Sequence, residues 1–143
     1  MHTLRTQRRI EFADTDMAGI VHFARFFVFM ESAEHEFMRA IGCSVHFHHE
    51  GRDYGWPRLE ARCRYKRPIR FGDEVDIIVR VQRKGRRAMT YRVTFELDGQ
   101  KVAEGEISSS CCVLETDDNG ATRLVPVEIP SFLAEQIEEA PKE

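Results

Sequence analysis

One predicted helix in this chain is apolar on almost every side, and few folds can enclose such a helix. Its helical period runs from about His22 to Ile41 and ends at Gly42, a residue type that commonly terminates helices. The apolar residues that recur at three- and four-residue steps are Phe23, Phe26, Phe27, Met30, Ala33, Phe37, Met38 and Ile41. Val28 and Phe29 add apolar surface outside this stripe. We therefore expect the rest of the protein to surround the helix.

Strand patterns are found on both sides of this helix. A first strand is predicted from Thr6 to Phe12, and alternating apolar and charged residues predict four more strands after the helix. The apolar rows of these four strands are Leu59, Ala61, Cys63 and Tyr65, all predicted to be buried, then Val75 to Val81, Met89 to Leu97, and Val102 to Leu114. Asp98-Gly99 is the strongest hairpin signal among them.

Three further segments complete this interpretation. Cys43 to Pro57 is interpreted as an irregular connection, and Ser131 to Glu138 as a short C-terminal helix. Gly105 to Ser110 is rich in small residues, which indicates that another part of the protein approaches the strand closely there.

The order of these elements favours one fold. One strand, one long buried helix and four antiparallel strands make an α+β protein in which a curved five-stranded sheet wraps around the helix, the hot-dog fold. We expect a single domain over residues 1–143, with its core between about residues 5 and 115. A lone protomer leaves a sheet edge open, so we also expect a homodimer that continues the sheet.

The composition argues against several function classes. A formal net charge of −3 gives no global attraction to nucleic acid. No apolar run approaches the roughly 20 residues of a membrane span, and the N-terminus lacks an apolar signal core, so we expect a cytoplasmic location. The cysteines, which are Cys43, Cys63, Cys111 and Cys112, form no disulfide or zinc pattern. His46, His48 and His49 are interpreted as polar loop residues without a metal.

The turn before the helix has the residues for chemistry. The segment Asp14-Thr15-Asp16-Met17-Ala18-Gly19-Ile20 places two acids and a glycine next to a helix N-terminus, where free N–H groups and the helix dipole favour negative charge. A carboxylate beside such an anion-stabilising end is half of an acyl-transfer site. The alternative is that the acids only stabilise the turn.

The same segment resembles a known family. Residues Phe12 to Phe23, followed by Met30-Glu31, are similar to the signature of the 4-hydroxybenzoyl-CoA thioesterase family, and most similar to its branch named after the bacterial YbgC protein. The resemblance continues through Tyr65 to Glu74 and to about Leu114. It implies hydrolysis of a thioester of coenzyme A, or of an acyl carrier protein, to a carboxylate and a free thiol. It also implies a homotetramer and no cofactor.

Carried over by position, the resemblance implies roles for four residues of the turn. Asp16 is the implied catalytic carboxylate, acting either as nucleophile or as general base. The backbone N–H of Phe23 is implied to hold the thioester oxygen. Gly19 is implied to let the backbone turn tightly enough to aim such N–H groups, and Asp14 to brace the loop.

The chain departs from the family pattern at two places beside the turn. His22-Phe23 stands where members often have a Tyr-His pair, and Arg25 stands where they often have Asn or Ser. His22 is therefore interpreted as a substrate-binding residue rather than as the catalytic base. Glu31 is interpreted as an interface or paired residue, with a second catalytic acid as its alternative.

Phosphates on the thiol carrier require positive charge, which two basic segments supply. The predicted substrate-binding residues are Arg62, Arg64, Lys66 and Arg67 on the first segment and Arg83, Lys84 and Arg86 on the second, with Arg70 and Arg87 beside them. Each could instead be a solvated charge that protects a sheet edge.

Two other functions remain as alternatives. One is a catalytically silent hot-dog module that binds acyl groups or a protein partner. The other is a hydratase or dehydratase, for which His22 is the available histidine in the active groove.

Overall fold

A single long helix lies at the centre of the computed structural model, which describes all 143 residues. This helix, α1, spans Arg25–Ala40 and is held by an apolar face whose members Met30, Phe37 and Met38 are fully buried. The predicted start at His22 is wrong by three residues, because the chain is still in a turn there and Ala24 is the N-cap. Val28 is 42% exposed, so one side of the helix is open in the single chain.

Nine strands and one further short helix surround α1. They are β1 (Thr3–Arg9), β2 (Phe47–His49), β3 (Arg52–Gly55), β4 (Arg58–Tyr65), β5 (Glu74–Lys84), β6 (Ala88–Leu97), β7 (Gln100–Ser110), β8 (Cys112–Thr116), β9 (Thr122–Pro126) and α2 (Ser131–Ala134). The larger sheet has the order β1-β5-β6-β7-β4 with every neighbouring pair antiparallel. It is the predicted five-stranded sheet on one long helix. None of the helices has the length and apolar character needed to span a bilayer.

A second, four-stranded sheet in the order β2-β3-β8-β9 corrects two predictions. The segment Cys43 to Pro57 is not irregular throughout, since it contains β2 and β3. The predicted single strand from Val102 to Leu114 is divided at Cys111. The Cys111 N–H donates to the Arg87 carbonyl at 2.6 Å and its carbonyl accepts the Val127 N–H at 2.9 Å, so the chain leaves one sheet there and joins the other.

The ends of the chain also differ from the prediction. β1 begins at Thr3 and ends at Arg9, and Phe12 lies in a 3-10 turn with its side chain 80% exposed. The turn forms because the Asp14 carboxylate accepts the Glu11 N–H at 2.9 Å. α2 ends at Ala134 rather than at Glu138, and the carbonyl of Ala134 accepts a hydrogen bond from a lysine of the larger sheet.

β4 was predicted to have one buried face, and this prediction is wrong for the single chain. Leu59 is 64% exposed and Tyr65 is 44% exposed, while Ala61 is exposed and Cys63 is half-buried. β4 is an edge strand bonded to β7 alone. Its apolar row therefore lies at the open edge of the sheet, where Cys63 packs against the core and the Tyr65 ring contacts Phe26 of α1 while both stay partly open to solvent.

The close approach predicted at Gly105 is confirmed. A Cβ at this position would lie 2.2 Å from the Met30 Sδ and 3.1 Å from the Arg62 carbonyl oxygen. The absence of a side chain is therefore what lets α1 pack this closely on β7.

Gly105→Ala is expected to lower the free energy of unfolding by about 1–3 kcal/mol, because Met30 has to leave its packed position. Urea denaturation of the purified variant measures this loss. Gly55→Ala is the matched control, since a Cβ there meets no atom within 4 Å and Gly55 also lies in a strand. Equal stability of the two variants would contradict the packing argument.

Candidate active site

The loop that precedes α1 is closed by its own backbone. The Asp16 N–H donates to the Ile20 carbonyl at 2.9 Å, and the Gly19 N–H donates back to the Asp16 carbonyl at 3.0 Å. Gly19 has φ +78°, the left-handed conformation that glycine adopts without strain. The tight turn that was predicted for Gly19 is therefore present, and it fixes the backbone that bears Asp16.

Asp16 faces an open groove. Its side chain is half-buried, and its Oδ1 accepts the Ala18 N–H at 2.8 Å, while Oδ2 accepts no hydrogen bond from the protein. The groove has a volume of about 440 Å³, and its lining residues are Asp16, Ile20, Val21, Phe23, Phe26, Tyr65, Lys66, Arg67, Pro68 and Ile69. One carboxylate oxygen is thus available to a ligand beside aromatic and apolar walls.

Phe23 lines the same groove. Its carbonyl accepts the Tyr65 hydroxyl at 3.0 Å, whereas its N–H donates to no acceptor in the protein. The neighbouring N–H groups are occupied: that of Ala24 donates to His22 Nδ1 at 3.1 Å and that of Arg25 donates to the His22 carbonyl at 2.9 Å. The Phe23 N–H is therefore a free backbone donor one residue before the N-cap of α1, near the positive end of the helix dipole.

His22 lies outside the groove lining. Its ring is exposed and stacks on the Phe23 ring with centroids 4.6 Å apart. Its Nδ1 accepts the Ala24 N–H. The observed contacts of His22 are those of a residue that caps the start of the helix.

Asp14 is separated from the groove by burial. Its side chain is fully buried, with Oδ1 bound by Arg25 Nε at 2.9 Å and Nη2 at 2.7 Å and with Oδ2 bound by the Glu11 N–H. The Arg8 Nη2 lies 4.0 Å from the same Oδ1. Asp14 therefore braces the loop, as implied by the family resemblance, and Arg25 points to this acid rather than to the groove.

The predicted phosphate-binding residues lie on two segments. Those of the first segment, Arg62 to Arg67, divide between two surface sites. Lys66 and Arg67 line the Asp16 groove, and Arg67 also bonds Gln100. Arg62 and Arg64 face a neighbouring surface depression that Lys66 also lines, and there Arg62 pairs with Glu106 at 2.6 Å.

The second segment, Arg83 to Arg87, lies in the β5–β6 hairpin. Arg83, Arg86 and Arg87 line a cavity of about 610 Å³, and Arg86 pairs with Glu128. Lys84 is not available to a ligand there, because its Nζ donates to the carbonyls of Ala134 at 2.9 Å and Ile137 at 2.7 Å. The hairpin cavity includes Leu59 and Glu60 at the start of β4, so in one chain it lies roughly 20 Å along that strand from the groove.

Sequence reasoning missed a buried acid on the far half of α1, which pairs with a partly exposed arginine. Glu34 is 1% exposed, and its Oε2 accepts Arg58 Nη1 at 2.5 Å. Arg58 also donates to Ser109 Oγ at 2.9 Å and to Glu31 at 3.2 Å. Burial raises the pKa of Glu34 although Arg58 opposes this. The signal in the sequence is the four-residue step from the buried Met30, which puts a carboxylate on the apolar face of the helix.

Three buried polar atoms near this pair have no hydrogen-bond partner: Glu34 Oε1, Trp56 Nε1 and Tyr91 Oη. Glu34 and Trp56 line one open cavity of about 400 Å³ that also includes Glu31 and Arg58. The cavity is at the start of β4, at the opposite end of that strand from Asp16. In the single chain it is a feature separate from the groove.

Comparisons with known proteins all point to one family. A family model described as the thioesterase-like superfamily matches residues 10–137. A protein of Thermosynechococcus vestitus named 1,4-dihydroxy-2-naphthoyl-CoA hydrolase is 29% identical over 136 residues, which cover 94% of this chain and 90% of the relative. A Synechococcus elongatus protein of the same name is 30% identical over 113 residues, which cover 77% and 82%.

Solved structures agree on the fold. The 4-hydroxybenzoyl CoA thioesterase from Pseudomonas sp. strain CBS-3 matches with a TM-score of 0.77 at 19% sequence identity, over 95% of this chain and 99% of that one. The hot-dog fold predicted from the lone apolar helix is thereby confirmed.

Proposed function

The chain belongs to the thioesterase-like superfamily, and from this membership we propose a hydrolase that cleaves an acyl-coenzyme A into a carboxylate and free coenzyme A. One observation supports the chemistry most strongly. Asp16, whose Oδ2 is free, and Phe23, whose N–H has no partner, line the same groove. A thioester carbonyl placed between them meets an attacking group on one side and an oxyanion donor on the other.

The reaction then needs no group beyond these two and water. Asp16 either attacks the thioester carbon directly or takes a proton from the attacking water. As the tetrahedral centre forms, negative charge collects on the thioester oxygen, where the Phe23 N–H and the dipole of α1 stabilise it. Collapse of this centre breaks the carbon–sulfur bond, and the thiolate leaves and takes up a proton. When water is the attacking group, the acid is formed in this step; when Asp16 attacks, the acyl group remains on Asp16 as an anhydride, which a water molecule then hydrolyses to the free carboxylate and regenerated Asp16.

We further propose that the acyl group is aromatic. The groove walls supply the rings of Phe23, Phe26 and Tyr65, and the rings of Phe26 and Tyr65 meet edge to face with centroids 5.0 Å apart. The two relatives described above are named for a dihydroxynaphthoyl substrate. Assignment to the YbgC-like branch is supported by the D-x-D-x-x-G-x-V pattern from Asp14 to Val21.

The working enzyme is proposed to be a homodimer joined through β4. The outer edge of β4 offers unpaired backbone groups together with exposed Leu59 and Tyr65, and such an edge favours pairing with a second copy. A two-fold axis makes the paired edge strands antiparallel, so the start of one β4 lies beside the end of the other. The hairpin arginines of one protomer then approach the Asp16 groove of its partner.

Three finer features are also proposals. Pairing of two such dimers into a tetramer follows the family resemblance. An acyl carrier protein is an alternative donor, because its phosphopantetheine thioester offers the same reacting bond. A cytoplasmic location suits a coenzyme A substrate and the four free cysteines.

The hairpin arginines give a testable consequence. The double variant Arg83→Ala/Arg87→Ala is expected to raise KM for an acyl-CoA about tenfold with little change in kcat, because phosphate contacts bind substrate and transition state equally. The same acyl group on N-acetylcysteamine, which has no phosphates, should show no change in KM. Arg123→Ala is the control, since Arg123 is an exposed strand arginine that pairs with Glu115. An equal effect on both thioesters would contradict the phosphate role.

A panel of acyl-CoAs tests the proposed function. Thiol release is measured with benzoyl-, hydroxybenzoyl-, dihydroxynaphthoyl-, acetyl- and palmitoyl-CoA, and the aromatic thioesters are expected to have the highest kcat/KM. Preference for an aliphatic chain would overturn the substrate class while leaving the reaction intact. Binding without thiol release would favour the silent acyl-binding module, and addition of water to an enoyl-CoA would favour a hydratase.

A further inference from the structure

A single ion pair joins the two parts of the candidate site. Asp14 precedes Asp16 by two residues, and Arg25 follows Phe23 by two residues. The side-chain bonds from Arg25 to Asp14 therefore connect the backbone that bears the acid to the backbone that bears the oxyanion donor. No other side-chain hydrogen bond joins the loop to α1.

The geometry of this pair is rigid on both sides. Arg25 is the first residue of α1, and it bonds Asp14 Oδ1 through both Nε and Nη2. Asp14 is fully buried, its Oδ2 accepts the Glu11 N–H, and its carbonyl accepts the His22 N–H at 2.9 Å. Two N–H donors of one planar guanidinium converge on the same carboxylate oxygen and so fix direction as well as distance, which a lysine cannot do.

We propose that Arg25 is a positioning residue that, through Asp14, sets the Asp16 carboxylate against the Phe23 N–H. The inference rests on the proposed function for its kinetic consequence. Arg25 does not line the groove and has no contact with substrate in this account. Its effect is on the relative placement of two reacting groups, where a displacement of about 1 Å can lower a rate 10²-fold.

Arg8 provides a matched control within the same cluster. Its Nη2 lies 4.0 Å from the same Asp14 oxygen and its guanidinium lies 4.5 Å from the Phe29 ring centroid. Arg8 belongs to β1, however, and it donates no hydrogen bond to Asp14, so it contacts the acid and the Phe29 ring of α1 without a directional bond. Arg8→Lys and Arg25→Lys thus both keep the positive charge, and only the second loses the pair of hydrogen bonds between α1 and Asp14.

The experiment compares these two variants by kinetics and by hydrogen exchange at a temperature where both are folded. Arg25→Lys is expected to lower kcat 10- to 100-fold with KM within threefold of the wild type. The amide protons of Asp16 and Gly19 should exchange at least tenfold faster in it, while those of β6 are unchanged. Arg8→Lys should keep kcat within twofold. Added guanidinium, but not methylammonium, should raise the kcat of Arg25→Ala at least tenfold.

Three results would overturn the proposal. The first is a kcat for Arg25→Lys within twofold of the wild type, and the second is unchanged exchange at Asp16 and Gly19. The third is an equal loss of kcat in both lysine variants, which would indicate general destabilisation. If the wild-type protein releases no thiol from any thioester, the proposed function fails, and the exchange comparison still decides whether Arg25 holds the loop.

Discussion

Asp16→Asn is expected to lower kcat for thioester hydrolysis by about three orders of magnitude, because an amide can neither attack the carbonyl nor accept the proton of water. KM should change little, since the amide has the size of the carboxylate and its oxygen can still accept the Ala18 N–H. Thiol release under steady-state conditions measures both constants.

The control for this substitution is Asp117→Asn. Asp117 Oδ1 accepts the Asn119 N–H at 2.9 Å, which is the same local turn that Asp16 makes with Ala18, in an exposed segment between β8 and β9. Full activity is expected from it. Retention of more than a tenth of wild-type kcat in Asp16→Asn would contradict the mechanism while sparing the thioesterase function.

Arg58→Leu is expected to lower the free energy of unfolding by about 1–3 kcal/mol at pH 8, because it leaves the buried Glu34 carboxylate without its charge partner. The Arg58 side chain is itself 31% exposed, so the effect is smaller than for a pair that is buried on both sides. Urea denaturation measures the loss. Arg62→Leu is the control on the same strand, because the pair that it removes, with Glu106, is largely exposed and should contribute far less.

The pH dependence of the stability loss in Arg58→Leu provides a separate test of its cause. Burial raises the pKa of Glu34 above its ordinary 4.5, so the folded state binds a proton more readily than the unfolded state does. The contribution of Glu34 to stability is therefore most favourable at low pH and is lost as pH rises through the raised pKa. Without Arg58 the pKa of Glu34 rises further, because the arginine no longer opposes the effect of burial. The loss of unfolding free energy in Arg58→Leu should therefore be smaller at pH 5 than at pH 8.

Glu34→Gln in the Arg58→Leu background should remove this pH dependence and recover part of the stability. An Arg58→Leu loss that is equal at both pH values would contradict the assignment to the Glu34 charge. The recovery separates loss of charge balance from loss of the packing that the Arg58 side chain provides.

The fold was predictable from the helix because apolar residues on almost every side of a helix indicate that the helix is buried. Only a wrapped sheet can enclose a helix that presents Phe26, Phe29 and Phe37 over so much of its surface, and the order of strands then leaves one topology. The strand at Leu59 was mistaken for a covered one because alternation indicates an apolar face without indicating what covers it. In this protein the cover is absent from the single chain, which is itself a reason to expect a second copy.

The site was predictable only in part. Asp16 follows from its place before a helix and from the family pattern, and the structure separates it from Asp14 by burial. The roles of Arg25 and Lys84 were not predictable, because both depend on contacts between segments distant in sequence or across a turn. Lys84 reads as a surface charge in the sequence, yet its ammonium group is bound by two backbone carbonyls near α2.

The most direct test of acyl-CoA hydrolysis by this protein quantifies both products of one reaction. Purified protein is incubated with hydroxybenzoyl-CoA, and mass spectrometry measures the free acid and the free coenzyme A over time. We predict that both appear in equal amounts at a rate proportional to the enzyme, and that Asp16→Asn produces neither at a comparable rate. Saturable binding of the thioester with no formation of acid or coenzyme A would contradict the account.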